Sequence, residues 1–391
     1  MKKLIFINSH PIQYFAPLYK FLNEHGIVTE AWYGSDESIK GGMDVQFGTE
    51  VKWDIPLLQG YKASFFKNYS WKPSHFNGFF GLISLGMIWK VIKSPKSVIV
   101  VHGWHYFTHF AILILGRLIG HTICLRCEMP QNQEALKSGM KQKIKRAGLK
   151  YFLFPRVDFF LNIGTQNRLF YKSFEIKDDQ IIFCPYSVDN DRFTSERVAL
   201  EPHVKSIRAS LGIHESDKVI LYSGKYISKK YPIDLLQAYI KINNPNYWLI
   251  MVGEGELRSA LEALIEKHQL NKVILTGFIN QSKISEYYAI SDLFVMCSGV
   301  GETWGLSVNE AMNFNLPVIS SDVTGSSVDL IKDGDNGYVY PIGDIDSLAQ
   351  KINNVFDDKL SWATPSTEIV QKYSYQTIFN NIRSLVDDNP N

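Results

Sequence analysis

Short apolar runs, each closed by turn residues and followed by a helical stretch, recur along this chain, and that alternation confines it to an α/β fold on parallel sheets. In the first half they are KKLIFINS (2–9), SVIVVHGW (97–104), HTICLRC (121–127) and DFFLNIG (158–164). A second series begins at KVILYSGKY (218–226) and continues through YWLIMVGEG (247–255), KVILTGF (272–278), DLFVMCS (292–298) and PVISSD (317–322). Runs that are apolar throughout, rather than at every second residue, mark strands buried on both faces, and the intervening helices supply the cover. Two series imply two doubly wound domains, as does a length of 391 residues, which exceeds what one hydrophobic core serves. The join is expected near IIFCPYSVDNDRF (181–193), with the polar stretch around 194–205 as the linker.

Apolar residues make up 45% of the chain and charged residues 20%, the composition of an ordinary globular protein rather than a disordered one. The charge is divided unevenly. Residues 1–200 carry 25 Lys and Arg against 16 Asp and Glu, whereas 201–391 carry 16 against 23. The basic excess gathers at 137–150, where Lys137, Lys141, Lys143, Lys145, Arg146 and Lys150 occur with no acidic residue among them. No recognition motif accompanies them, so nucleic acid is not expected as a partner; the alternatives are an anionic membrane surface or a solvated helix face. Leu136, Met140, Ile144 and Leu149 would give this helix an apolar side, and Tyr151, Phe152, Leu153 and Phe154 follow it.

No run reaches the length of a membrane span, Arg117 interrupting the stretch that begins at Phe110. GFFGLISLGMIW (78–89) reads as a buried or interfacial helix, and LIFI is too short for a signal peptide. The expected location is the cytoplasm, extending to the inner face of the membrane. Cys124 and Cys127 form a C-x-x-C at a strand end, but no second pair completes a zinc site, and neither a metal nor a disulfide framework is expected.

Ligands of open α/β sheets bind beyond the carboxyl ends of the strands, so two such domains facing each other make a cleft between them. Three loops would reach that edge. HPIQY follows the first strand, GKYISKKY follows KVILYS, and GVGETWG follows DLFVMCS. The last continues into a helix, giving GVGETWGLSVNEAMNFNLP (299–317) with Glu302 before the helix and Glu310 within it. A helix N-terminus offers N–H groups and partial positive charge to a phosphate, and a carboxylate beside it would bind hydroxyls. Glu310 has a second reading: Ser307 and Glu310 match the S-x-x-E capping box. Gly224 and Lys225 open a turn that also carries Lys229 and Lys230, three ammonium groups suited to a diphosphate or to a solvated turn. Val252-Gly253-Glu254-Gly255 lacks the third glycine of a dinucleotide fingerprint. His10, and less strongly His102 and His105, stand at strand ends where a catalyst or a local hydrogen-bonding residue would stand.

Over its whole length, GETWGLSVNEAMNFNLPVISSDVTGSSVDLIKDGDNGYVYPIGD resembles the donor-binding signature of the retaining glycosyltransferases of family 4, which have the GT-B fold. The resemblance implies two facing Rossmann-like domains: 1–195 for the acceptor, rejoined by a closing helix over 372–391, and 205–371 for the nucleotide-sugar donor. It implies that Glu302 holds hydroxyls of the transferred sugar and Glu310 the ribose, with Thr303, Trp304, Gly305 and Leu306 lining the donor. Lys225 and Lys230 fall where the family has an arginine and a lysine on the diphosphate; lysine keeps the charge but loses bidentate binding. Gly253 would sit in the tight turn beneath the nucleotide, and Phe278 and Ile279 would border the base. Glu128 stands where the family commonly has a histidine near the reacting sugar, and His10 near the donor phosphate or acceptor. Two departures are Gly325-Ser326-Ser327 in place of two successive glycines, and Tyr186-Ser187 within the interdomain motif.

The activity implied is front-face transfer without metal or cofactor. The donor would be a UDP- or GDP-sugar and the acceptor a glycan or lipid-linked oligosaccharide of a bacterial surface polysaccharide such as capsule, O-antigen or lipopolysaccharide. Domain closure would exclude water. Two alternatives share the fold: a sugar-nucleotide 2-epimerase, which would not need the paired glutamates, and a non-catalytic donor-binding module.

Overall fold

The computed structural model of the protein describes residues 1–44, 49–51 and 53–387. They form two compact units. The first comprises Met1–Gly42, Ile55–Tyr186 and the helix Tyr375–Val386; the second comprises the described residues of 43–54 and Ser187–Ser374.

In the first unit the strands are β1 (Leu4–Asn8), β2 (Thr29–Tyr33), β5 (Lys62–Phe65), β6 (Val98–His102), β7 (Thr122–Arg126), β8 (Phe159–Asn162) and β9 (Ile181–Phe183); β3 (Gly42–Asp44) and β4 (Thr49–Val51) make a separate two-stranded sheet that, apart from Gly42, belongs to the second unit. The seven are ordered β5-β2-β1-β6-β7-β8-β9 and every neighbouring pair is parallel. The second unit holds β10 (Lys218–Ser223), β11 (Tyr247–Val252), β12 (Val273–Gly277), β13 (Leu293–Met296), β14 (Val318–Ser321) and β15 (Gly337–Tyr340), ordered β12-β11-β10-β13-β14-β15 and again parallel throughout. Both are α/β Rossmann-like sheets. In each, the strand order reverses once, between β1 and β6 and between β10 and β13, and ligands of such sheets bind beyond the strand ends at that reversal.

Each apolar run named from the sequence contains a strand. Most of their side chains are enclosed on both faces: all of β1 is buried, and Ile220, Leu249, Leu293 and Ile319 are each 0% exposed in the core of the second sheet, while β12 at the sheet edge is part-buried. Burial of each such side chain contributes roughly 1.5–3 kcal/mol, which is what fixes a strand in the middle layer. The strands that patterning did not announce depart from unbroken apolar runs in different ways. β2 carries Glu30, whose buried carboxylate accepts from Lys3 and from the Trp32 indole, and β5 is a half-exposed edge. β15 begins at Gly337, where a Cβ would stand 1.9 Å from the Val318 carbonyl oxygen, so only glycine lets that strand close on β14.

The stretch around 194–205, expected as a linker, is helical: Asn190–Leu200 runs into a 3₁₀ turn, Glu201–His203, and a further helix, Val204–Ser210. Asp189 starts the first of these by accepting from Arg192 N at 3.0 Å, an N-cap that its side chain supplies. The chain passes from one unit to the other at Tyr186–Ser187. Tyr375–Val386 packs within the first unit, where Lys2 N donates to Val386 O at 2.7 Å and Asn381 Nδ2 to Phe183 O at 2.8 Å.

The single helix expected over 137–150 also differs. It starts at Met140, ends at Ala147 and passes into a π-helical turn, Gly148–Leu153. Of its expected apolar side, Leu149 is buried while Leu136, Met140 and Ile144 are exposed. Lys137 and Lys145 both pair with the buried carboxylate of Glu134, and Lys150 pairs with Glu175. The acidic partners lie outside the basic run, which is why the sequence within it shows none. Among the described residues no helix is long and apolar enough to cross a membrane.

Candidate functional site

The loops after β10 and β13 meet at the strand-order reversal of the second sheet. Gly299 N donates to Lys229 O at 2.8 Å, a backbone bond that joins the two loops directly. Across this junction Lys230 Nζ contacts Glu302 Oε2, with side-chain exposures of 21% and 13%. Burial, and then the ammonium groups of Lys229 and Lys225, push the Lys230 pKa down to about 7. The Glu302 carboxylate acts against them. An ammonium group so costly to keep charged is one that an anionic ligand would stabilise.

Gly224 sits on Val252, Gly224 N donating to Val252 O at 2.9 Å, and Tyr226 N donates to Glu254 O at 2.7 Å. Gly253 has φ +150°, and a Cβ there would stand 1.9 Å from the Gly224 carbonyl oxygen. This glycine is therefore required by the approach of two strand-end turns, an assembly that leaves both loops short and close to the sheet.

Beyond Glu302, the helix Leu306–Asn313 begins at Gly305, whose φ of +90° suits glycine and whose capping position receives no side-chain bond. The capping-box reading of Ser307 and Glu310 therefore does not hold. Glu310 is 2% exposed, and its carboxylate accepts from Tyr288 Oη at 2.7 Å and Gln281 Nε2 at 3.3 Å. Those two donors come from a neighbouring loop and helix, fixing the carboxylate sideways rather than back toward the helix start. Trp304 is buried; its indole donates to Asn309 Oδ1 at 2.8 Å and packs 5.6 Å from the Tyr373 ring, so the side chain anchors the loop. Thr303 lends a carbonyl oxygen to a tight crossing, because a Cβ at Gly325 would lie 1.9 Å from it. The next residue, Ser326, has a right-handed φ of −87° and donates to Trp304 O at 2.6 Å. The serine in place of a second glycine thus adds a bond without strain, and the loop keeps its path.

Phe278 and Ile279 follow β12, on the other flank of β11. The Phe278 ring lies edge-on to Trp53 at 5.9 Å, and Ser282 N donates to the Asp54 carboxylate at 3.3 Å. Residues 53 and 54 thus pack on this loop, far from it in sequence.

The remaining candidates belong to the first unit. His10 follows β1; its Nδ1 lies 2.9 Å from Ser9 Oγ, and its ring lies tilted against that of His75, the centroids 4.1 Å apart. Burial and then His75 push the His10 pKa down to about 3, so the ring is neutral at physiological pH. His75 in turn has Nδ1 2.9 Å from Glu37 Oε2, a pairing that nothing in the local sequence announced. His102 ends β6, and its Nε2 is buried without a hydrogen-bond partner; burial, Arg126 and His109 hold its pKa well below the usual range. His105 lies farther along the same loop. Glu128 is exposed beyond β7. Arg126 is buried between the rings of Phe15 and Tyr186, each 5.0 Å from its guanidinium carbon, and donates to Pro185 O at 3.3 Å. That packing gives Tyr186, a departure from the expected interdomain motif, a role of its own. Cys124 and Cys127 are buried thiols, Cys127 Sγ lying 3.1 Å from Tyr171 Oη.

The segment that builds the Lys230–Glu302 junction has known relatives. Residues 204–377 match the family of glycosyl transferases group 1. N-acetyl-alpha-D-glucosaminyl L-malate synthase of Bacillus anthracis is 30% identical over 169 residues, covering 43% of each protein. Alpha-monoglucosyldiacylglycerol synthase of Acholeplasma laidlawii is 27% identical over 186 residues, 46% of each. The chain thus spans less than half the length of these curated relatives. Among solved structures, HepE of Anabaena in complex with UDP and glucose superposes with a TM-score of 0.71 at 16% identity, over 98% of this chain and 99% of that one. WaaG, a glycosyltransferase involved in lipopolysaccharide biosynthesis, gives a TM-score of 0.67 at 16% identity over 99% and 100%. At such identity the likeness establishes the fold: two parallel-sheet Rossmann-like domains with GT-B structural neighbours.

Proposed function

We propose that this protein is a retaining, metal-independent glycosyltransferase of family 4 that moves a sugar from a nucleoside-diphosphate sugar to a glycan or lipid-linked acceptor. The observation that carries the proposal is the contact of Lys230 with Glu302 at the strand-order reversal, with the Glu310 carboxylate held within the following helix by Tyr288 and Gln281. A cation that burial makes costly, beside a part-buried carboxylate, suits the junction between a diphosphate and a hydroxyl-rich ring. Lys230 and Lys225 bind the diphosphate, Glu302 the hydroxyls of the transferred sugar, and Glu310 the ribose. Gly224, Gly253, Gly305 and the backbone of Thr303, Trp304 and Leu306 shape the donor loops, and Phe278 and Ile279 border the base, uracil or guanine. HepE, of the same fold, is a complex with UDP and glucose, which supports a uridine nucleotide.

The second unit is then the donor domain and the first the acceptor domain, with His10 and Glu128 as its own candidate catalytic residues. His10, neutral and tilted against His75, is suited to hydrogen bonding rather than to carrying charge. Transfer proceeds on the face from which the diphosphate leaves, whose oxygen takes the acceptor proton; lysine ammonium groups stabilise the departing charge. The bacterial relatives that make glycolipid and the lipopolysaccharide enzyme of the same fold support a role in surface glycan synthesis, carried out in the cytoplasm at the inner face of the membrane with 137–150 in contact with anionic lipid.

The test is a thermal-shift panel of UDP- and GDP-sugars, followed by product analysis with glycan and lipid-linked acceptors. A donor at a hundredfold its dissociation constant adds about 2.7 kcal/mol of stability. Glu302→Gln, Glu310→Gln and Lys230→Ala should each abolish most transfer in a folded protein. Wild-type turnover by Lys230→Ala would remove the diphosphate assignment, and a 2-epimer formed without acceptor would make the protein an isomerase.

A further inference from the structure

From Ile55 to Cys127 the chain contains no aspartate or glutamate, against six lysines and two arginines. The same stretch holds much of the exposed aromatic surface of the first unit. Trp71 is 69% exposed and Phe80 48%, and they begin a continuous ladder of rings. Trp71 lies 5.3 Å from Phe80, Phe80 5.0 Å from Phe79, Phe79 5.8 Å from Phe110, and Phe110 6.2 Å from Phe152. The ladder ends at Arg156, whose guanidinium lies 4.3 Å from the Phe152 ring.

The helix Leu85–Lys93 repeats the pattern. Met87 and Val91 face the core, but Leu85, Trp89 and Ile92, spaced as one stripe of a helix, are exposed on the other side. Lys93 Nζ sits 4.9 Å over the Trp89 ring, and Lys67 Nζ 5.0 Å over Tyr69. Aromatic rings bordered by lysines whose stems lie along them are the arrangement of a surface that rests in the headgroup layer, rings at the acyl boundary and ammonium groups among the phosphates. Isolated exposed apolar residues are ordinary, whereas a connected ladder and a helical stripe mark a contact surface. A second copy of the chain would bring like charge against like; an anionic bilayer neutralises it.

We propose that the aromatic ladder from Trp71 to Phe152, with the outer stripe of the helix Leu85–Lys93, is the surface by which the first unit seats on an anionic lipid bilayer. This deepens, and rests on, the reading of an enzyme working at a membrane, and moves the principal contact away from 137–150, where Lys137, Lys145 and Lys150 are engaged with Glu134 and Glu175. The ladder supplies insertion, and Lys67 and Lys93, set against the rings of Tyr69 and Trp89, supply attraction.

The full chain is sedimented with vesicles of phosphatidylcholine alone and of an equimolar phosphatidylglycerol mixture. Binding is expected only to the anionic vesicles. Trp71→Ser with Phe80→Ser, and separately Trp89→Ser with Ile92→Ser, should each weaken it at least about tenfold, with the far-ultraviolet dichroism unchanged. Lys67→Gln with Lys93→Gln should weaken it too and flatten its salt dependence. Equal binding by the serine variants, or no binding to anionic vesicles, would overturn the proposal. So would self-association in velocity sedimentation that the same substitutions remove, since that would assign the surface to a second copy. Neither donor nor acceptor enters the measurement, so failure here leaves the transferase reading to its own test.

Discussion

If Lys230 binds the diphosphate as proposed, the affinity for a nucleoside diphosphate should depend on pH in a way that follows from the surroundings of that lysine. Its pKa of about 7, against an ordinary 10.5, corresponds to roughly 5 kcal/mol for keeping the ammonium charged there. A bound diphosphate adds to the counter-charge of Glu302 and returns the pKa toward its ordinary value, so binding above pH 7 takes up a proton. The sign is then fixed. Below pH 7 the lysine is already charged and affinity for UDP changes little on its account. From pH 7 to pH 9 the affinity falls by about tenfold per unit, close to a hundredfold in all. Isothermal titration with UDP in two buffers of different ionisation enthalpy measures both quantities, and at pH 8 the uptake should approach one proton per nucleotide. Lys230→Met should bind UDP more weakly by roughly 2–3 kcal/mol near neutral pH and lose the pH dependence. Affinity that stays level from pH 7 to 9 in the wild type, with no proton uptake, would refute the reasoning.

Three further outcomes are expected. Gly325→Ala places a Cβ 1.9 Å from Thr303 O; the loop that carries Glu302 must move, so calorimetry should show a lower Tm and UDP-sugar binding should be lost. Tyr288→Phe removes the 2.7 Å bond to Glu310, about 1.5 kcal/mol for a bond to a charged group, and should raise KM for the donor about tenfold with little change in kcat. The Glu30 carboxylate, which burial alone would raise, is held down to about 2 by Lys3, Trp32 and Lys62. Its folded pKa lies below the unfolded one, so it contributes roughly 3 kcal/mol above pH 4.5 that is lost as pH falls toward 2; urea unfolding of Glu30→Gln should show that deficit at pH 7 and a shrinking one below pH 4.5.

The α/β class and the buried strands were legible because a parallel sheet covered on both faces needs unbroken apolar runs, and such runs survive in sequence. β2 was not, since Glu30 breaks its pattern and is accommodated by Lys3 and Trp32. The helical stretch around 194–205 read as linker because its polar residues suggested solvent; the cap at Asp189 was the signal available. At the site, Lys230 and Glu302 were each visible as loop residues, whereas their contact depends on two strands adjacent only in the folded sheet. The partners of Glu310 are farther from any local signal: Gln281 and Tyr288 lie on separate elements, and S-x-x-E offered a cap that the left-handed Gly305 supplants. His75 and Glu37 escaped for the same reason, each being ordinary in its own segment.

The central claim is that the loops joined at Lys230 and Glu302 hold a nucleotide sugar. A crystal structure of the complex with the nucleotide sugar that gives the largest thermal shift measures this directly. The diphosphate should lie within hydrogen-bonding distance of Lys230 Nζ, sugar hydroxyls on Glu302 and the ribose on Glu310, with the Lys230–Glu302 contact opened or shared by the ligand. A nucleotide bound elsewhere, with that contact intact, would contradict the account.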